Sequence, residues 1–396
     1  MKKERFRGIS ANVIFLGIVS FLNDLSSEMI MPILPMFITS LGGTGLVVGL
    51  LGGLRDSVSS ILQVLCGYWS DRTGRRKVFV WSGYLTSAIF KLTLSISRAY
   101  PAAVVSASLE RVGKGLRTAP RDAIIAESMP GERGKGFGIH RALDSSGAIL
   151  GSIIAFLLLW LLNLEYRHII LIAAIIGFAS LIIVRFVKDT GAQRQNITLK
   201  IGLASLPKPL RLFIVISAVF ALGNFSYMFF IMRAQQVFAG EASVAIPILL
   251  YVLFNIFYAF FAIPLGALSD RIGRQGVLIL GYGLFALTCF GFAVFSSLAA
   301  LVVLFALYGV AYAAIDGSQR AFVSDLSAPS LKATALGTFH TTIGISALAS
   351  GLAAGLLWQK VGPHATFIYG GVAASLSALL LAVFIRRFHP VEESPE

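Results

Sequence analysis

Apolar runs of about 20 residues, the length at which a helix crosses a bilayer, recur from one end of this sequence to the other. A soluble core cannot hide so many. In hydrocarbon every backbone amide must find its partner inside the protein, so such runs fold as helices. Twelve are read, near 11–38, 45–69, 77–97, 101–120, 136–161, 166–187, 211–238, 244–268, 276–296, 298–324, 333–358 and 364–386. They predict an all-α integral membrane protein with twelve transmembrane helices. Composition agrees: 56% of residues are hydrophobic and 13% charged, where soluble chains carry about 25% charged residues.

The basic, then apolar, start has the look of a signal peptide. No small-residue cleavage pattern follows, and the apolar stretch runs on past Met31, so it is read as the first membrane helix. Cys66 and Cys289 lie in separate predicted helices, far apart in sequence, and no structural disulfide is expected.

The net charge of +14 has a pattern. Lys2, Lys3, Arg5 and Arg7 precede the first helix. Arg72, Arg75, Arg76 and Lys77 follow the second; Arg117, Arg121, Arg133 and Lys135 follow the fourth. Arg185, Lys188, Arg194, Lys200, Lys208 and Arg211 follow the sixth, Arg271 and Arg274 the eighth, Lys332 the tenth, and Arg386 and Arg387 the twelfth. The alternate loops hold little beyond Arg98, Arg167 and Lys360. This is the positive-inside signature. It predicts a multi-pass plasma-membrane protein with both termini in the cytoplasm. Nucleic acid is not an expected partner, since no soluble module of the necessary size exists.

One long polar interruption, "KDTGAQRQNITLKIGLASLPKP", divides the helices six and six. The predicted domains are 1–187, a linker at 188–210, and 211–396. The Asn196 triplet matches a glycan acceptor, but a cytoplasmic linker would not meet the glycosylation machinery. The halves are related by a shift of 199 residues: "GYWSDRTGRRKV" at 67–78 returns as "GALSDRIGRQGV" at 266–277. The same shift pairs Arg121 with Arg320, Ser128 with Ser327, Pro130 with Pro329 and Gly138 with Gly337. The chain is a tandem repeat of a six-helix unit, as many secondary transporters are.

The repeated motif carries a resemblance. Gly67, Asp71, Arg72, Gly74, Arg75 and Arg76 fill every position of G-x-x-x-D-[RK]-x-G-[RK]-[RK], the most diagnostic pattern of the major facilitator superfamily. The second copy departs only where Gln275 replaces a base. "RVGKGLRTA" resembles a second family motif on helix four: Arg111 and Gly115 match, and Lys114 stands where glutamine is usual. The resemblance covers the whole chain. It implies two pseudo-symmetric six-helix bundles around a central cavity, working by alternating access. It also implies a conformational latch at the loop motif. Asp71 and Arg75 would form it, with Asp270, Arg271 and Arg274 as the weaker mirror copy and Asp122 as a candidate partner. A helix-five pattern of many exporters contains Gly-Pro; here "DSSGAILGS" keeps Gly147 and Gly151 for close helix contact but lacks the proline.

Charges inside membrane helices are costly and usually functional. The first half holds Asp24 and Glu28, Arg55 and Asp56, Lys91, Glu110, Arg111 and Lys114, and His140, Arg141 and Asp144. Under the 199 shift, Asp24 falls on Gly223, Glu28 on Tyr227, Arg55 on Phe254, Asp56 on Asn255, Lys114 on Ala313 and Asp144 on Ile343. The second half builds the same bundle without these charges, so the fold does not require them. Asp24, Arg55 and Arg111 fall at similar depth near the midplane, where transporter sites sit. Two readings stand: a static ion-pair cluster pinning helices one, two and four, or a proton-coupling or substrate-charge site. In the second, Asp24 leads, Glu28 follows and Arg111 modulates. An acid whose basic contacts change between conformations can take up a proton on one side and release it on the other. His140, Arg141 and Asp144 lie nearer the cytoplasmic end and suit a gate or a helix end.

In the second half Asn224, Tyr227, Asn255, Tyr258, Asp316, Gln319 and His340 supply polar atoms, and Phe225, Phe229 and Phe230 aromatic surface, which would suit an amphipathic substrate. His140 and His340 make no metal cluster by spacing. No nucleophile–base constellation or phosphate loop appears, so neither an enzyme nor a cofactor is expected. The expectation is a monomeric, proton-coupled secondary transporter, leaning to export of a small amphipathic or anionic compound. Uptake, or transport of a metal or its chelate, is the alternative within the class. A non-transporting receptor is the alternative outside it.

Overall fold

The computed structural model describes residues 9–189, 202–327 and 331–388. Lys2, Lys3, Arg5, Arg7, Arg194, the Asn196 triplet, Lys200 and Pro329 lie outside the described residues. Among those described, the regular structure is helical. The first half contains α1 (Ala11–Ile30), α2 (Leu34–Ser40), α3 (Gly45–Thr73), α4 (Arg76–Ser95), α5 (Tyr100–Ser128), α6 (Arg133–Trp160) and α7 (Tyr166–Val184). After a 3-10 turn (Leu203–Ser205) come α8 (Lys208–Gly223), α9 (Met228–Gln235), α10 (Ala242–Ile272), α11 (Arg274–Val294), α12 (Leu298–Asp325), α13 (Lys332–Lys360) and α14 (Pro363–Phe388). Taking α1 with α2 and α8 with α9, these are the twelve expected spans. By length and composition, 10 of them are apolar enough to cross a membrane. The other two, α4 and α5, carry Lys91 and the charged run from Glu110 to Arg121.

Two spans are broken where one helix was expected. The first breaks at Met31–Ile33, because Pro32 has no amide hydrogen and its ring crowds the preceding turn. The seventh breaks at Asn224–Tyr227 without a proline. Hydroxyls from neighbouring helices meet the break, one at a freed carbonyl and one at a side chain. The Tyr369 hydroxyl donates to the Leu222 carbonyl at 2.5 Å, and the Tyr312 hydroxyl donates to Asn224 Oδ1 at 3.0 Å.

Packing divides the chain into two compact units: Met1–Gly43 with Val58–Thr198, and Thr44–Ser57 with Leu199–Glu396. Helix α3 therefore contributes to both. In the first unit α1 packs on α6 and α7, and α4 on α5 and α7. In the second, α8 packs on α13 and α14, and α11 on α12 and α14. These are the same four pairs under the repeat. The first core joins Val13, Leu16 and Val19 of α1 to Val80 and Tyr84 of α4, Ile124 and Ile125 of α5, and Val184 of α7.

The residues after α7 belong to that core's rim. Val187 is buried in it. The Asn12 carboxamide donates to the Lys188 carbonyl at 3.0 Å and accepts from the Lys188 amide at 2.9 Å, and its Nδ2 also reaches Ser128 Oγ at 3.2 Å. Lys77 Nζ donates to the Arg185 carbonyl at 2.9 Å. The Asp189 carboxylate accepts the Lys77 amide at 3.4 Å, capping the start of α4 from another part of the chain.

Candidate functional site

The site begins with two glycines. A Cβ added to Gly147 would lie 2.3 Å from the Phe21 carbonyl oxygen, and one on Gly151 2.3 Å from that of Leu25. Their absence lets α6 approach the backbone of α1. The approach brings a row of α1 residues at i, i+4, i+8 onto α6. Ser20 Oγ lies 2.7 Å from His140 Nε2. One turn on, the Asp24 and Asp144 carboxyls lie within reach of one another. Further along, Ser152 Oγ donates to the Glu28 carbonyl at 3.4 Å. That carbonyl is the one Pro32 leaves without a helical partner.

Helix α5 supplies cations. Lys114, Arg117 and Arg121, spaced i, i+3, i+7, act electrostatically on Asp24. Each is held. Arg117 is 4% exposed, donates to Ser87 Oγ at 2.7 Å and lies 4.6 Å over the Tyr84 ring. Arg121 donates to Asp122 Oδ1 at 2.9 Å and to Ser20 Oγ at 3.2 Å. From α6, Arg141 reaches Asp144 Oδ2 at 3.3 Å. Arg111 turns to Glu110 Oε2 at 3.4 Å and to Met31 Sδ at 3.0 Å. Two carboxyls hydrogen-bond one another only with a proton between them, as in carboxyl dyads.

Of the predicted site residues, the structure brings Asp24, Lys114 and Asp144 together and sets Glu28 one turn beyond Asp24. Arg55, expected at the depth of Asp24, and Asp56, a further candidate, fall in the stretch of α3 that packs with the second unit. Arg117 and Arg121 were expected in a basic loop; α5 continues to Ser128 and carries both as helical residues. Their spacing from Lys114 was the available signal.

The repeated motif forms a bridge in each unit. Gly74 and Gly273 turn the chain with φ of 69° and 94°, a left-handed region where a side chain is strained. In the first unit Arg76, 5% exposed, pairs with Asp71 at 3.1 Å and with Glu127 at the end of α5. In the second, Arg274 pairs with Asp270 at 2.5 Å and with Asp325 at the end of α12 at 3.2 Å. The expected first pair, Asp71 with Arg75, is thus replaced by Asp71 with Arg76. Arg75 is the exposed residue preceding α4. Asp122, the expected partner, binds Arg121 instead. Where Gln275 removes the second base, the preceding arginine makes the bridge. Arg76→Gln should therefore lower stability by about 1–3 kcal/mol, because two acids lose a shared, buried cation, whereas Arg75→Gln should cost under about 0.5 kcal/mol. Thermal unfolding in detergent compares them; equal losses would restore Arg75 to the bridge.

The second unit carries few buried charges and many rings. Its Arg55 is buried. Asp56 acts electrostatically on Tyr312. The Tyr258 hydroxyl donates to Asp316 Oδ2 at 3.0 Å, Arg320 reaches the same oxygen at 2.6 Å, and both Arg320 and Asp316 act electrostatically on His340. Gln319 Nε2 donates to the Tyr282 hydroxyl at 2.7 Å. Tyr227 lies 5.3 Å from Tyr251, and Phe254 stacks on Tyr308 at 4.6 Å. Asn255 is buried on α10 beside Phe254.

A sequence profile described as Major Facilitator Superfamily matches residues 16–249 and 234–396. A protein of Methanocaldococcus jannaschii named "Uncharacterized MFS-type transporter" is 55% identical over 382 residues, 96% of each chain. The multidrug resistance protein MdtH of Aeromonas hydrophila is 30% identical over 162 residues, 40% of each chain. The crystal structure of nucleoside transporter NupG superposes with a TM-score of 0.78 at 17% identity, over 96% of this chain and 99% of that one, a likeness of fold. With the profile matched along the chain and a relative of such identity over nearly its whole length, this protein belongs to the major facilitator superfamily of membrane transporters.

Proposed function

We propose that this chain is a proton-coupled secondary transporter of the plasma membrane, working by alternating access and exporting a small amphipathic compound. One observation carries the reading: the juxtaposition of the Asp24 and Asp144 carboxyls amid Lys114, Arg117 and Arg121. A carboxyl pair that shares a proton can hand it on when its cationic neighbours move. Those neighbours sit on α5, while the acids sit on α1 and α6. A shift of α5 against the other two would change the hold on the proton. The bridge Asp71–Arg76–Glu127, which ties the end of α5 to α3 and α4, is the element proposed to gate that shift. The rings of the second unit offer apolar contact to a substrate. Export is the direction suggested by the partial likeness to multidrug resistance proteins.

A second reading has its own support. Of the buried ionic side chains on α4 and α5, Arg76, Lys91, Arg111 and Arg117 outnumber the acid Glu110. An anionic substrate drawn to such bases would leave the carboxyls freer to hold protons, giving co-transport rather than exchange.

Infrared difference spectra between alkaline and acid pH test the shared site. A carboxylic-acid band should appear that is absent in Asp24→Asn and in Asp144→Asn. A band unchanged in both variants would remove the pair from the mechanism. Once a thermal-shift screen supplies a ligand, its counterflow in proteoliposomes distinguishes a transporter from a receptor. The sign of the pH gradient that drives it distinguishes exchange from co-transport.

A further inference from the structure

Lys91 of α4 is 1% exposed. Its ammonium has three hydrogens and gives them to three oxygens on a single turn of α1: Ser26 Oγ at 2.8 Å, Ser27 Oγ at 2.9 Å and the Asn23 carbonyl at 3.4 Å. Ser26 passes the link to α7, donating to the Ala173 carbonyl at 2.5 Å. Asn23 passes it to the site, its Nδ2 donating to Asp24 Oδ1 at 3.2 Å. One buried side chain thus fixes the turn that carries Asp24. It does so with neutral acceptors, so its charge acts through space on Glu110 and Asp24. A glutamine could supply hydrogens without charge, and a methionine neither. The repeat shows that the fold does not demand a lysine here: the shift of 199 places Phe290 at the matching position of α11.

We propose that Lys91 is a positioning residue of the proton site, holding the Asp24 turn and, when protonated, supplying a positive charge that helps the Asp24–Asp144 pair release its proton. The inference rests on the proton-site reading above. The ionic groups acting on Asp24 are Lys91 from α4, Lys114, Arg117 and Arg121 from α5, and His140 and Asp144 from α6, with Arg141 acting on Asp144; α7 contributes the Ala173 carbonyl behind Ser26. Lys91 bonds the backbone of α1, at the Asn23 carbonyl.

The experiment is a pH titration of the carboxylic-acid infrared band in the full-length wild type, Lys91→Gln and Ser27→Ala, each in lipid nanodiscs. Loss of a nearby positive charge should raise the pair's proton affinity about tenfold in Lys91→Gln, moving the midpoint of the band to higher pH. Ser27→Ala, a milder change that leaves the ammonium in place, should move the midpoint by a smaller but measurable amount. A lowered melting temperature with an unmoved midpoint would make Lys91 a structural residue only and overturn the proposal. Should Lys91→Gln fail to fold, an unmoved midpoint in Ser27→Ala overturns it equally. Absence of any Asp24-dependent band in the wild type would sink the proton-site reading first, which separates the two failures.

Discussion

Asp24→Asn is expected to lose pH-driven transport by about 100-fold or more, the order of effect seen when a positioned proton-transfer group is removed, while counterflow at equal pH persists. The two assays differ in one respect. Counterflow exchanges ligand for ligand and needs no proton to enter or leave. Asparagine keeps the shape of Asp24 and can still bond Asn23 and Asp144, so the helix seam should stand. What disappears is a carboxyl able to give up its proton. Asp144→Asn should behave alike, since a dyad needs both members, and the double variant should be no worse than either single one. Full pH-driven transport by Asp24→Asn, with the protein intact, would return the cluster to the static ion-pair reading.

Gly147→Ala should be among the most destabilising single-methyl changes in the first unit. The added carbon would meet the Phe21 carbonyl oxygen at 2.3 Å, well inside contact distance, and backbone on both helices leaves nothing flexible to yield. Overpacking of this kind costs about 1–3 kcal/mol. The seam would reopen by sliding α6 off α1, and Asp144 travels with α6. Gly147→Ala should therefore lower the melting temperature and also weaken the Asp24–Asp144 infrared band. Gly138, on the same helix, supplies the control. Nothing lies within 4 Å of a Cβ there, so alanine should be neutral or stabilise by about 0.5–1 kcal/mol through helix propensity. Equal melting temperatures for the two variants would contradict the close approach.

Much of the architecture was legible because it is written in periodic signals. Apolar run length sets the number of spans, and the 199-residue shift announces the duplication that the paired packing of α1·α6 with α8·α13 displays. The break after Ile30 was readable in Pro32. The break after Gly223 was not, because it depends on Tyr369 and Tyr312 arriving from other helices. At the site, depth along a helix can be counted from sequence, but rotation about its axis cannot. Depth set Asp24 among the interior charges. It also grouped Arg55 with Asp24, although the first part of α3 packs with the second unit. Asp144 found its place through the glycines of its own helix. Arg117 was hidden by an end effect: a basic residue near a predicted helix terminus reads as a loop until the helix is seen to continue to Ser128.

The clasp of Asn12 and Lys77 on Arg185, Lys188 and Asp189 bears on how the gene can be cut. Two half-genes expressed separately from the same cell should reassemble only if the first ends downstream of Asp189. A fragment stopping at Val184 would carry every helix of its half, yet leave the start of α4 uncapped and the Asn12 carboxamide with nothing to hold. For such split genes, and for reporters inserted between the halves, the usable junction begins several residues after the last helical turn.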